Sequence, residues 1–178
     1  MKKSLSLFCA ALAVSGCANN MEITSPPVNV TRHSGFDTAR YQGDHPVNVR
    51  SFFTAKKSNG GEERTEFSGA QCRIQGRGFT AKFSTPAIVN LPDHGFYSQA
   101  VTGQCATGEA VRPVVAKPYN ITVANIKSNN GAGGGVLGMV VAGVANSIAL
   151  AANDPTNDDY GYHNIAVKFP ATAQPAGQ

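Results

Sequence analysis

Hydrophobic and polar side chains alternate with a period of two along much of the chain from Pro46 onward. Val47, Val49 and Phe53 fall on one face of a run that stops at 56–61, where KKSNGG has the composition of a turn. Similar short runs recur at roughly 8–12-residue spacing, separated by Gly, Pro and Asn, which is typical of an antiparallel sandwich. Pro113 inside one run indicates an edge strand. The further predicted strands are 65–74, 79–83, 87–91, 97–105, 111–116, 119–126 and 162–169.

Residues 131–152 break this pattern, because the segment GAGGGVLGMVVAGVANSIALAA carries no charge. As a helix it would be about 33 Å long, close to a bilayer core of ~30 Å. Small residues recur in it at steps of three and four, so they would form one stripe along the helix, beside a second stripe of large apolar side chains. Each glycine lowers the helix propensity by up to about 1 kcal/mol, so we expect the helix to begin near Val136 and not at Gly131. The stripe consists of Gly131, Gly135, Gly138, Ala142, Ala145 and Ala149.

This stripe permits two interpretations. A helix or Gly-rich loop could lie over the sheet of its own domain, as buried segments of globular proteins do. Alternatively, the small residues could let backbones approach closely in a membrane or between copies of the chain. The predicted fold is therefore mainly β, a small antiparallel β-sandwich with one Gly/Ala-rich hydrophobic helix inserted before the last strand.

The first sixteen residues have the pattern of a secretory signal, with Lys2 and Lys3, an apolar run and small residues at the end. The sequence VSGC at 14–17 resembles the lipobox of bacterial lipoproteins. In that family the signal is cut before the Cys, which then carries three acyl chains, enough for stable anchoring. The resemblance implies lipidated Cys17, and Ala18 in place of Asp points to the outer membrane. An ordinary secretory signal with an incidental Cys is the alternative.

The chain that would remain after cleavage of the signal is short and carries a low net charge. The 178 residues fit one domain. Without Lys2 and Lys3, thirteen basic and eleven acidic residues remain, and their scattered positions exclude a basic surface for nucleic acid. Residues 17–45 mix Pro, Asn, Gly and charges and read as a flexible tether, although Val28 and Val30 alternate as in an edge strand. The sandwich domain is predicted over 46–170, followed by a disordered tail over 171–178.

Two cysteines remain for the folded domain, because Cys9 leaves with the signal and Cys17 takes the lipid. We expect Cys72 and Cys105 to pair in an oxidising compartment. Closing this loop would stabilise the fold by roughly 3–4 kcal/mol on the chain-entropy model. A redox or metal pair is the alternative, although the CxxC spacing is missing.

Three motifs resemble the PEGA-like modules of bacterial envelope lipoproteins: CRIQGRGF at 72–79, STPAIVNLP at 84–92, and the short strand 101–105 that ends in Cys105. The similarity spans roughly residues 66–170, including YGY at 160–162 and the last strand. It implies a transthyretin-like or immunoglobulin-like sandwich that binds other envelope components. The Asn- and Asp-rich stretch 153–159 departs from the tighter turn of these modules.

Catalytic motifs are missing from the sequence: it contains neither GxSxG nor HExxH. The four His residues lie in separate turn-rich neighbourhoods and read as solvated loop residues. Asp154, Thr156 and Asp158 have the spacing of a calcium loop, but Asp159 replaces the Gly and Ile165 the bidentate Glu. We therefore assign no catalytic residue, cofactor or metal.

Three functional hypotheses follow. The preferred one is a non-catalytic lipoprotein, anchored by lipid on the periplasmic side of the outer membrane, that binds or braces an envelope partner. The second is a membrane-inserting or self-associating protein, a homo-oligomer acting through 131–152. The third is an envelope enzyme with an atypical site, which a polar cleft with convergent His and Asp would support.

Overall fold

A computed structural model describes residues 20–128 and 154–173 of the chain. These residues form two five-stranded sheets and one two-stranded sheet. The prediction of a mainly β, sandwich-like fold is confirmed. The lipobox, with Cys17, and the whole Gly/Ala-rich segment 131–152 lie outside the described residues.

In chain order the strands are β1 (Val28–Asn29), β2 (Thr31–Arg32), β3 (Gly43–Lys56), β4 (Glu62–Phe67), β5 (Gln71–Gly76), β6 (Phe79–Ser84), β7 (Ala87–Asp93), β8 (Val101–Thr107), β9 (Ala110–Ala116), β10 (Pro118–Asn120), β11 (Tyr160–Tyr162) and β12 (Ile165–Pro170). One α-helix, α1, covers Ile121–Ser128. Short 3-10 helices cover Gly95–Tyr97, Pro155–Asn157 and Ala171–Ala173.

Sheet A is built around the 14-residue strand β3. Its order is β1-β7-β3-β12, with β4 also paired to β3. Val49 of β3 pairs with Ala87 of β7 and with Ile165 of β12, so β7 and β12 lie on opposite edges of β3. The β1–β7 and β3–β12 pairings are parallel, so this sheet is mixed where an antiparallel one was predicted. Both parallel strands come from the ends of the domain, where no tight hairpin dictates the direction.

Sheet B is antiparallel throughout, with the order β2-β6-β5-β8-β9. Pro113 lies in β9, the last strand of this order, so the predicted edge position is confirmed. The single strand predicted over 65–74 is two strands in the structure. Between them the chain passes from sheet A to sheet B at Ser68–Ala70, where Gly69 takes a φ of +92° that other residues rarely adopt.

The core lies between the two sheets. Phe53 and Phe67 stack with their ring centroids 3.9 Å apart, and Phe169 meets Phe67 edge to face at 5.6 Å. The buried Ser51 hydroxyl donates to the Phe67 carbonyl and bonds the Thr85 hydroxyl, so both polar side chains are satisfied. The alternating residues of β5, β6 and β7 fill the remaining space: Cys72, Ile74, Phe79, Ala81, Phe83, Ala87, Val89 and Leu91.

The predicted strand 119–126 is wrong. Its first residues form β10, and α1 begins at Ile121. Asn120 supplies the reason, because its side-chain oxygen accepts a hydrogen bond from the Val123 N–H at 2.8 Å. Such a cap satisfies a backbone donor at a helix start. The hydrophobic residues that suggested a strand are therefore arranged on a helix.

The described part of the expected tether is bound to both sheets. Val28 and Asn29 pair with β7, whereas Thr31 and Arg32 pair with β6. β3 begins at Gly43, three residues before the expected domain start. The segment predicted to be flexible therefore supplies an edge strand to each sheet from Val28 onward.

A candidate binding groove between two sheet edges

β9 and β12 face one another across a groove on one side of the sandwich. β9 is the last strand of sheet B and β12 the last strand of sheet A. Within the described residues, each of them pairs along one edge only. The groove between them has a volume of about 790 Å³ and is lined by residues 112–117 and 163–168. We call this the edge groove.

The sequence of each wall explains its position. In β9, Val114 and Ala116 are buried while Val115 between them is 60% exposed. In β12, Val167 and Phe169 point into the core and are buried. Each strand is therefore fixed by one apolar face, and within the described residues the backbone groups along its other edge have no strand partner.

The edge groove is basic and partly apolar. Arg112, Lys117 and Lys168 line it, and none of its described lining residues is Asp or Glu. Lys168 is paired with Glu62, with 2.9 Å between nitrogen and oxygen. Among the described residues, Arg112 and Lys117 have no ion-pair partner. Together with exposed Val115, these cations favour a ligand that is both apolar and acidic.

The described lining of the edge groove contains three cations and one imidazole and no carboxylate. Its volume lies in the range of about 300–1,000 Å³ that is usual for ligand sites. His163, its one imidazole, stacks on Tyr119 with the ring centroids 3.8 Å apart. A free strand edge beside an apolar and charged wall is a surface that extended peptides bind by adding a strand.

A second cavity lies beside His94 and is much smaller. Its volume is about 20 Å³, enough for one water molecule. The His94 Nε2 atom is buried without a hydrogen-bond partner. Burial lowers the pKa of His94, and the charges of Asp37 and Asp93 oppose this effect. The prediction of four solvated histidines is therefore wrong for His94, whose ring packs against Phe36.

Tyr162 borders the same small cavity. Burial, with a smaller contribution from the Asp93 charge, raises the pKa of Tyr162 to about 12. Its hydroxyl donates to the Gln99 carbonyl at 2.9 Å. The phenol therefore stays protonated at neutral pH and serves as a structural donor.

Cys72 and Cys105 lie at disulfide distance and face each other in register on β5 and β8. Both residues are buried, with 4% and 0% exposure. Burial inside the sheet favours a structural crosslink over redox exchange, which needs an accessible thiolate. Cys17 and the stripe residues Gly131, Gly135, Gly138, Ala142, Ala145 and Ala149 are outside the described ranges.

The proposed calcium residues have other partners. Asp154 accepts hydrogen bonds from the Thr156 N–H and hydroxyl, whereas the Asp158 carboxylate accepts one from the Asn120 amide. In the described ranges, no three His, Cys, Asp or Glu side chains converge as metal ligands. No helix within 20–128 or 154–173 has the length and apolar character needed to cross a bilayer.

Comparison with known proteins adds no relative to this picture. The chain matches no protein family model, no curated protein and no solved structure. The similarity to PEGA-like modules therefore rests on the short motifs quoted above and stays a hypothesis.

Proposed function

We propose that this protein is a non-catalytic lipoprotein, held at the periplasmic side of the outer membrane by Cys17, that binds an extended segment of an envelope partner in the edge groove. The observation that carries the binding role is the meeting, at one groove, of two strand edges that are unpaired within residues 20–128 and 154–173. The lipobox-like sequence VSGC supports the anchor.

The segment binds to β12 rather than to β9. Pro113 has no N–H, so it interrupts the hydrogen bonds that the edge of β9 could offer. β12 contains Pro only at its last residue, Pro170, and its edge is otherwise complete. Apolar side chains of a segment bound in the groove would lie near Val115, and its acidic side chains near Arg112 and Lys117.

Site-specific photocrosslinking in cells tests the binding role. Val115 and Val111 are exposed valines of the same strand, but only Val115 lines the edge groove. A photoreactive residue at 115 should give a defined adduct, mapped by mass spectrometry to an extended acidic segment of the partner. Equal adducts at 111 and 115, or none at 115, would contradict the proposal.

Charge reversal provides the second test of the same role. Arg112→Glu with Lys117→Glu should lower the yield of the 115 adduct about tenfold, which corresponds to about 1.4 kcal/mol. Arg73→Glu with Lys82→Glu is the matched control, because these two exposed cations face each other on β5 and β6, away from the groove. A similar loss in the control would assign the effect to net charge.

Fractionation tests the anchor separately. Cys17→Ser should move the protein from the membrane to the soluble fraction, and mass spectrometry of the parent should find an acylated Cys17 without residues 1–16. Cys9→Ser, within the signal, should leave the protein in the membrane. Continued membrane recovery of the Cys17→Ser variant would refute lipid anchoring.

A further inference from the structure

A part-buried ion pair holds the chain a few residues after the proposed lipid. The Arg50 guanidinium and the Glu66 carboxylate lie 2.6 Å apart, with side-chain exposures of 20% and 6%. Arg50 also donates to the Met21 carbonyl at 2.7 Å, and Glu66 accepts from the Met21 N–H at 2.7 Å. Both backbone groups of Met21 are therefore fixed by charge-assisted hydrogen bonds. We call this arrangement the Met21 clamp.

The Met21 clamp lies on the outer face of sheet A. Val49 and Ser51 of β3 are buried, so Arg50 between them points away from the core. Glu66 pairs in register with Phe52, on the same outward face. From the clamp the chain continues to β1 at the far edge of β7. Residues 21–28 thus join two fixed points of sheet A.

The distance available between lipid and clamp is short. Three residues lie between Cys17 and Met21, and the four residue steps that join them span at most about 14 Å when fully extended. The two sheets of a sandwich are about 10 Å apart, with side chains projecting further on both sides. A tether of this length therefore prevents the domain from placing either of its two outer faces against the lipid at will.

From these lengths we infer that the outer face of sheet A around the Met21 clamp is the surface that lies against the membrane. This inference rests on the proposed lipidation of Cys17 and adds an orientation to it. The Met21 side chain itself is 40% exposed on this face, beside the anchor. The outer face of sheet B then points away from the bilayer.

Fluorescence quenching by lipid tests the orientation. Arg64→Cys places a label on the outer face of sheet A, two residues from Glu66, where Arg64 is 53% exposed. Lys82→Cys places the matched label on sheet B, at an exposed position between buried Ala81 and Phe83. Each variant removes one cation. The purified lipidated protein is bound to phosphatidylcholine vesicles that contain a lipid with a nitroxide headgroup.

The label at 64 should lose most of its fluorescence, whereas the label at 82 should keep most of it. A Gly/Ser linker of twenty residues inserted between Ala18 and Asn19 leaves the clamp intact and gives the tether a mean span of about 25 Å. In that protein the quenching at 64 should fall to the level seen at 82. The insertion avoids removing a buried charge, which could unfold the domain.

Three results distinguish a failure of the orientation from a failure of the anchor. Equal quenching at 64 and 82 in protein that floats with the vesicles, or quenching at 64 that survives the insertion, overturns the orientation and leaves the lipid anchor standing. Protein that does not float overturns the anchor, and the orientation with it.

Discussion

The sheet edges on the two sides of the sandwich differ in whether an additional strand covers them. On one side, β1 covers the end of sheet A and β2 the end of sheet B, so a single N-terminal segment closes both. On the other side, β9 and β12 leave the edge groove between them. We call these the closed side and the open side.

The closed side is also reinforced by side chains. Arg32 of β2 lies over the rings of Phe36 and Tyr41, with 4.5 Å and 4.1 Å between its guanidinium carbon and the ring centroids. His94 meets Phe36 edge to face at 5.2 Å. On the open side, Arg112 and Lys117 have no such partner among the described residues. Proteins protect free strand edges because unpaired edges invite association, so an edge that is open within the described residues is consistent with the proposed binding role.

The largest loss of stability should follow from removing a core side chain of the open side. Phe169→Ala removes a fully buried ring from β12 and should lower the free energy of unfolding by about 3–5 kcal/mol. Urea unfolding measures this. Lys168→Ala, at an exposed neighbour on the same strand, should cost less than about 1 kcal/mol. Equal losses in the two variants would show that β12 is not fixed by its buried face.

The next effect should come from the crosslink within sheet B, on strands that lie between the closed side and the open side. Cys72→Ala with Cys105→Ala removes the bridge between β5 and β8 and should cost about 2–4 kcal/mol. Urea unfolding with and without reductant checks the cause, because reductant should destabilise the parent and not the double variant. A parent insensitive to reductant under unfolding conditions would contradict a disulfide in the protein.

A smaller loss should follow from breaking the closed side. Gly78 has a φ of +74°, and a Cβ atom there would collide with the backbone of Phe36. Gly78→Ala should cost about 2–3 kcal/mol and raise hydrogen exchange over residues 33–42. Gly60→Ala is the control for backbone strain alone, since Gly60 has a φ of +83° with open space around it. Identical costs for the two variants would exclude the collision as a cause.

The smallest effect should be a pH dependence on the closed side. Burial lowers the pKa of His94 below its ordinary 6.5, so the folded state favours the neutral ring. Below about pH 6.5 the unfolded chain therefore binds the proton more readily, and the free energy of unfolding falls as the pH drops towards the folded pKa. His94→Gln should flatten this part of the curve. Urea midpoints measured across the window check it, and an unchanged slope would contradict the assignment.

Local alternation predicted much of the sandwich, because one buried face per strand leaves a period of two in the sequence. This holds for Val47 to Phe53 and for Phe79 to Phe83. It failed where a local polar group decided the structure, as at Asn120, whose cap starts a helix. It also failed at Gly69, where the chain changes sheets within three residues.

The sequence indicated only one of the two walls of the edge groove. Pro113 indicated an edge strand, and so marked one wall of the groove. The other wall comes from β12, about fifty residues later, and its position follows from parallel pairing with β3. The Met21 clamp likewise joins residues 29 and 45 positions apart. Such contacts depend on topology, which a local pattern does not encode.

β3 has a mechanical consequence. Its Arg50 side chain bonds the Met21 carbonyl, and its backbone carries β12 in register through Ala166 opposite Arg50. If lipid holds one end and a partner strand holds the other, tension between them would run across this single ladder. Sheet B would then carry little of this force.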